Sequence, residues 1–309
     1  MRITNKFGMP QPFVDFALND KYSKGKADIS VTTLIDSPRV RIMKENFDDQ
    51  IEVDAVDMIW ALFGTAVHSV LESSNPYPRV GHPSDKIVNE ERLFSELDGW
   101  LLSGALDRQE THENSITIID YKVTSVWSVI YGKPEWEKQL NCYAYLVDDK
   151  NAFAKQNVTN LKICAILRDW NRRESERKEN YPKSPIVFVD VPLWSFDDRL
   201  SYLKERMKLH QEAQINFDVN GKLPLCSNEE RWRKDNTWAL KKKKLKRAVK
   251  VFGDEQSAID FQKDYMKHRL HASDATEIEF RGGEYTRCDG NYCSVAEFCD
   301  QYNGEKNDG

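Results

Sequence analysis

The stretch LLSGALDRQETHENSITIIDYKV, residues 101–123, reads as two apolar strands joined by a polar turn, with a charged residue near each outer end. Side chains alternate across a strand, so Asp120 and Lys122 share one face. If the chain turns at Glu113-Asn114, where asparagine tolerates a positive φ, Asp107 falls opposite Asp120 with Cβ atoms about 5 Å apart. Two carboxylates that close repel unless a proton or a cation lies between them. A hard divalent ion such as Mg²⁺ takes oxygen ligands in this way and keeps positions open for water and phosphate. Lys122 is then placed to orient or deprotonate a water, or to stabilise charge developing on a phosphate. Taken alone, the stretch is equally readable as a surface Asp–Lys ion pair worth about 0–1 kcal/mol.

Working outward, strand-like runs are expected at 86–96, 99–107 and 115–123, followed by a helix at 134–149 with Pro134 in its first turn. NLKICAILRDW (160–170) and IVFVDVPLW (186–194) read as buried strands, and 195–216 as an amphipathic helix. Upstream, ISVTTLIDSPRVRIM (29–43) suggests a short strand or turn and then a helix after Pro38. The clearest helical pattern lies in 52–74, where Val56, Ile59, Trp60, Phe63, Val67, Val70 and Leu71 recur at three- and four-residue steps. NPYPRVGHPSD (75–85) ends it with prolines and a glycine. Strands, helix, two strands and a helix in this order indicate an α/β fold with a mixed sheet flanked by helices. Three segments are expected: a loosely ordered lead-in at 1–28, a core at 29–215, and a basic, cysteine-rich segment at 216–309 packed on that core.

The chain of 309 residues carries a net charge of −5 with a pI near 5.8, so any nucleic-acid surface must be a local patch. The N-terminus lacks the apolar run of a signal peptide. No later window is read as the roughly 18 apolar residues of a membrane span. The expectation is a reducing cytoplasm and no membrane contact, where six cysteines serve as buried thiols or metal ligands rather than disulfides.

Further residues join the hairpin. Gly64 and His68 lie four apart on one helical face, the glycine allowing close approach to another backbone and the imidazole able to reach a metal. Gln139 and Tyr143 share a helix face downstream of Lys122, and Ser103-Gly104 put small residues beside Asp107. Each is ordinary alone: a satisfied histidine, an amphipathic boundary. Together, Gly64-x-x-x-His68, Gly104-x-x-Asp107, Asp120-Tyr121-Lys122 and Gln139-x-x-x-Tyr143 resemble the RecB-like branch of the PD-(D/E)xK nucleases, which includes CRISPR-associated and phage-encoded exonucleases. The resemblance covers about residues 29–215 and implies a restriction-endonuclease-like core. It implies His68, Asp107, Asp120 and the Tyr121 carbonyl as ligands of Mg²⁺ or Mn²⁺, and Lys122 as the catalytic lysine. Gln139 and Tyr143 would support that lysine and the DNA strand. Asp120 stands where many members carry Glu.

In the tail, Cys288, Cys293 and Cys299 follow one another closely and Cys226 lies far upstream; these spacings do not suit paired C-x-x-C zinc knuckles. The arrangement resembles the iron–sulfur clasp of RecB-like nucleases, which implies a 4Fe-4S cluster; structural zinc and free thiols are the alternatives. Here the remote cysteine follows the core, whereas better-known members place it before. Cys142 and Cys164 sit in apolar contexts and are expected to be buried. The basic run Lys241–Lys250 is read either as a solvated helix face or as a phosphate-tracking surface. Trp232 and Trp238, just before it, are read as core packing or as base-stacking groups.

The resemblance implies a metal-dependent deoxyribonuclease acting as an exonuclease on single-stranded DNA ends, in recombination, repair or phage DNA processing. Recombination or replication proteins and a homo-oligomer are open as partners. A flap, branch or RNA-directed endonuclease, or a nuclease-fold protein that binds without cutting, are the rivals.

Overall fold

The computed structural model describes residues 1–19, 25–73, 86–153, 156–243, 245–267 and 275–307. The proline-rich 75–85 stretch, read as the turn that ends a helix, lies outside the described residues, and so does Lys244 of the basic run. The chain forms two compact units, Met1–Pro224 and Leu225–Gly309.

The first unit runs β1 (Arg2–Thr4), α1 (Gln11–Asn19), β2 (Ile29–Ser30), α2 (Val31–Leu34), α3 (Pro38–Asn46), β3 (Glu52–Asp54) and α4 (Ile59–Glu72). It continues β4 (Lys86–Leu97), β5 (Trp100–His112), β6 (Ser115–Thr124), α5 (Val126–Tyr131), α6 (Pro134–Lys150), β7 (Asn157–Leu167), α7 (Arg172–Arg177), β8 (Ile186–Val191) and α8 (Phe196–Asn220). The lead-in is more ordered than its composition suggests, since β1 pairs in parallel with β3 and α1 occupies nine residues. α8 continues past residue 215 to a Gly221 cap in the left-handed conformation (φ 69°).

The sheet is mixed. β5 pairs antiparallel with β4 along nearly its whole length and with β6 from Arg108↔Ile119 to His112↔Ser115. β6 runs parallel to β7, and β7 antiparallel to β8. On the edge that β6 leaves, β2 pairs with Leu102 and Ser103. The ladder keeps the register expected from the turn but ends at Arg108↔Ile119, so Asp107 and Asp120 are not a paired position; the positive φ falls on Glu113 (53°) and not on Asn114.

α6 fills the core. Trp136, Leu140, Ala144, Leu146 and Val147 are buried against Leu102, Leu106, Ile118 and Ile163 of the sheet and Leu203 and Met207 of α8. Buried polar groups around α6 find partners, as burial favours. Asn141 donates to Glu137 O and Pro192 O (both 2.9 Å) and accepts Trp194 N–H (2.8 Å). Arg199 meets Asp148 at 2.8 Å. Gly104 is the tight point: a Cβ there would lie 2.7 Å from Leu146 Cδ1 and 2.9 Å from the Tyr143 ring.

α4 departs from expectation. None of its residues is buried, and Trp60, Phe63 and Val70 are exposed. Gly64 has open space around its Cβ position, so it does not serve close backbone packing. The stretch Ala55–Glu72 is also long and apolar enough, by length and composition, to cross a bilayer, which corrects the sequence reading. That property alone is weak evidence, and this helix packs on β6 and carries His68 into a polar cluster.

The second unit holds a three-stranded antiparallel sheet ordered β10-β9-β11, with β9 (Thr237–Lys242), β10 (Ala248–Phe252), α9 (Glu255–Lys267) and β11 (Thr276–Arg281). α10 (Thr286–Asp289) and α11 (Asp300–Asn307) close it. The described ends of the basic run lie on the antiparallel strands β9 and β10 rather than on a helix face, with Lys241 in β9 ion-paired to Glu279 of β11. Trp238 packs on Phe280 at 5.3 Å, whereas Trp232 is partly exposed.

His210 of α8 is wholly buried. Its Nδ1 accepts from Arg41 Nε (3.1 Å) and its Nε2–H donates to Leu34 O (3.1 Å) and Asp36 O (3.2 Å). Burial, aided by Arg206 and Arg41, pushes its pKa down from 6.5 to about 4. Between those values the unfolded chain binds a proton that the folded one does not, so stability is full above pH 6.5 and falls as pH drops towards 4. Relative to His210→Gln, the wild type should lose about 2 kcal/mol between pH 7 and pH 5, read by urea unfolding at both pH values; equal losses would mean that His210 is not the group responsible. Gly104→Ala should cost about 1–3 kcal/mol by overpacking, measured as a lowered unfolding midpoint; an unchanged midpoint would show that Leu146 and Tyr143 can yield.

Candidate active site

The β5–β6 ladder stops one pair short of Asp107 and Asp120. Beyond it the Tyr121 N–H, which an unbroken ladder would pair with a backbone carbonyl, donates instead to Asp107 Oδ2 at 2.6 Å. The parting strands thus hold two largely buried carboxylates, Asp107 and Asp120, 8% and 2% exposed.

Asp120 Oδ2 makes no hydrogen bond of good geometry but has the Lys122 ammonium 2.6 Å away. Oδ1 receives Gln139 Nε2 at 3.4 Å, and that amide also donates to Tyr143 Oη at 2.8 Å. Burial pushes the Asp120 carboxyl up to about 6, with Asp107 adding to the shift and Lys122 opposing it. Burial, the largest single influence, would lower Lys122, but the charge and hydrogen bond of Asp120 together with the charge of Asp107 outweigh it and hold the ammonium above its ordinary value. Gln139 and Tyr143 are themselves buried, so they brace Asp120 from the α6 side and present no open surface to a strand.

His68 reaches in from α4. Its Nδ1 lies 3.3 Å from Asp107 Oδ1 and 3.5 Å from Glu90 Oε1, and its ring meets Tyr121 edge-on at 6.1 Å. Hydrogen bonds to Asp107 and Glu90 raise its pKa to about 10 against the effect of burial. Among the described residues, His68, Glu90 and Asp107 form the group whose donor atoms all lie within 4.8 Å of one another. One imidazole and carboxylate oxygens, with a buried carboxylate beside them, suit Mg²⁺ or Mn²⁺. The residues fit such an ion.

Glu90 escaped the sequence reading. Its β4 neighbours Asn89 and Glu91 pair with Arg108 and Leu106, so it stands opposite Asp107, and its φ is 49°. A positive φ on a non-glycine residue inside a strand is strained. No periodicity marks such a residue; only the three-strand register puts it at the site.

The four tail cysteines belong to the second unit. Cys288 and Cys299 are buried, and their thiols lie near enough to Cys293 to help raise its pKa, after burial, the main cause. Cys226 is brought to the same region: Gln301, two residues past Cys299, accepts its N–H (2.8 Å) and donates to its carbonyl (3.1 Å). Tetrahedral zinc would draw sulfurs to about 3.8 Å from one another. No three of these thiols meet even within 4.8 Å among the described residues. Cys142 and Cys164 are buried as expected, and burial pushes Cys142 up to about 12.

A family model described as the PD-(D/E)XK nuclease superfamily matches residues 76–300. No curated protein matches. Among solved structures, that of SSO0001 is 15% identical with a TM-score of 0.41, covering 64% of this chain and 83% of that one. A "Putative exonuclease" from Eubacterium rectale is 12% identical with a TM-score of 0.28, covering 70% of this chain and 76% of that one.

Glu90→Gln keeps size and backbone strain while removing a charged oxygen. It should weaken Mn²⁺ binding about tenfold in calorimetry and leave the thermal midpoint near that of the wild type. Unaltered Mn²⁺ affinity would remove Glu90 from the ligand set.

Proposed function

The chain belongs to the PD-(D/E)XK nuclease superfamily, and from that premise we propose that it is a Mg²⁺- or Mn²⁺-dependent deoxyribonuclease acting as an exonuclease on single-stranded DNA ends. The observation that carries the reading is the meeting of Asp107, Asp120, Lys122 and His68 where the β5–β6 ladder opens. The exonuclease assignment rests on the RecB-like motif series ending in Gln139 and Tyr143. The setting is the cytoplasm, that of a bacterial host if the chain is phage-encoded.

His68, Asp107 and Asp120, with the Tyr121 carbonyl, would hold the ion, and Glu90 adds a carboxylate beside them. Such an ion supplies Lewis acidity towards a phosphodiester and a more acidic water. Lys122 sits beside Asp120 to steer the nucleophile and to offset negative charge on the phosphate. Gln139 fixes Asp120 through one oxygen and leaves the other to face Lys122. With Asp120 among the residues that would hold the ion, the Lys122 ammonium beside it is the group placed to position the attacking water.

In the second unit, we assign Cys226, Cys288, Cys293 and Cys299 to a 4Fe-4S cluster. What supports this over zinc is the resemblance of the cysteine pattern to the iron–sulfur clasp of RecB-like nucleases, together with the Gln301 side chain that bonds the Cys226 backbone next to the terminal trio.

Strand-specific labels on 5′ and 3′ ends of single- and double-stranded DNA, with Mg²⁺ and Mn²⁺, test the activity and read its polarity. Lys122→Ala should lower turnover at least a hundredfold with Mn²⁺ binding retained, whereas Asp107→Ala and Asp120→Ala should lose both. Wild-type turnover in folded Lys122→Ala would sink the assignment.

Protein purified without oxygen should be brown, and Cys293→Ser should bleach it and lower its thermal midpoint. Colourless protein holding one equivalent of zinc would replace the cluster.

A further inference from the structure

Four large aromatic side chains of the first unit stand in solvent on elements that adjoin the site. Trp60, Phe63, Trp127 and Tyr131 are 52%, 47%, 51% and 79% exposed. They form two ring pairs: Trp60–Phe63 on α4, with centroids 5.8 Å apart, and Trp127–Tyr131 on α5, 5.9 Å apart and only 15° from parallel. Apolar surface left open in this way marks a place where something binds.

Both pairs are tied to the end of β6. The Arg168 guanidinium lies over Trp60, 4.2 Å from its centroid, while the Arg168 N–H donates to Thr124 O (3.0 Å), two residues past Lys122. Asp169 Oδ1 accepts the Val126 N–H (2.7 Å), which fixes the loop after β7 against the start of α5. Chain length keeps Trp127 within about 18 Å of Lys122, and Trp60 precedes His68 by about 12 Å of helix. Arg172 and Arg173, both exposed, follow Arg168 in the same segment. The segment also carries Asp169, Glu174 and Glu176, and among the described residues Arg168 is the cation of this segment seen against one of the rings. Tyr131 also borders a cavity of about 320 Å³ lined by Lys133, Trp136, Val189 and Pro192, a volume within the range of small-ligand sites.

Flat exposed rings with a guanidinium group beside them match the faces of unpaired bases and their phosphates. A duplex hides its base faces, and a protein partner would not require the arginine. We propose that Trp127 and Tyr131, together with Trp60 and Arg168, form a base-stacking platform that seats a single DNA strand on its way to Lys122. The proposal rests on the reading of the Asp107–Lys122 site as a nuclease and adds the means by which unpaired strands are chosen.

The test is fluorescence anisotropy of a labelled oligo(dT) of about twenty nucleotides, with EDTA and Lys122→Ala as the parent so that no cleavage intervenes. Trp127→Ala/Tyr131→Ala should bind about tenfold more weakly with an unchanged salt slope, and Trp127→Phe/Tyr131→Phe should recover most of the loss. Arg168→Ala should weaken binding and flatten the salt slope by about 0.7. In the active protein the aromatic truncations should raise KM for long single strands far more than they lower kcat. Tyr131→Ala alone serves if the double variant does not fold.

Unchanged oligo(dT) affinity in the folded variants would overturn the platform and leave the nuclease reading standing. So would equal losses on blunt duplex, or loss of binding to anionic phospholipid vesicles instead of DNA. Strand binding that depends on the rings, in a wild type that cuts no DNA with either ion, would overturn the nuclease reading and leave the platform.

Discussion

Everything at the site depends on one displaced hydrogen bond. β6 stops pairing with β5 after Ile119, and the Asp107 carboxylate takes the Tyr121 N–H that the ladder gives up. The parting of the strands leaves room for two acidic side chains that an unbroken sheet would force together. β2 then occupies the freed edge at Leu102 and Ser103, so the opening is confined to the few residues around Asp107. A buried N–H without a partner costs about 1–3 kcal/mol, and Asp107 removes that cost while keeping its other oxygen for His68.

The charges arranged around this opening are destabilising unless something joins them. Asp120 is buried deeply enough to be pushed towards protonation, and Lys122 is the cation that offsets it. On the other side, His68 lies between Asp107 and Glu90 and is held charged by them. In both places a positive side chain offsets the charge of the carboxylates it faces. Glu90 adds backbone strain to electrostatic strain. Strain of this kind persists only where the surrounding structure fixes it, and here β4 is anchored on both sides of Glu90 by its pairing with β5.

α6 provides the rigidity that lets these groups stay in place. Gly104 allows its Tyr143 and Leu146 to press directly onto β5, and Tyr143 in turn orients Gln139 towards Asp120. Asn141 ties the same helix to the segment that leads into α8. One helix thus serves as core and as the support of the buried Asp120 carboxylate, whereas α4, which carries His68, contributes no buried residue. Its apolar side is left for solvent or a ligand.

The sequence by itself determined most strands and helices of the core and the β5–β6 register, which follow from local rules: alternation in strands, a tight turn at Glu113-Asn114, and fixed spacing along helices. The grouping of His68, Lys122, Gln139 and Tyr143 came instead from the resemblance of the motif series to a known family. The sequence placed the α4 helix correctly but could not show that its apolar residues stay uncovered, nor that the basic run lies on strands, because periodicity reports which residues are apolar and not which neighbours arrive to cover them. It passed over Glu90, whose place depends on the pairing of a strand some fifteen residues upstream, and it credited Gly64 with close packing that Gly104 performs. Where the ladder opens, which oxygen faces Lys122, and that Gln301 draws Cys226 to the terminal thiols were decided only by the tertiary structure. Each is a contact between segments far apart in the chain, whose distances no local pattern constrains.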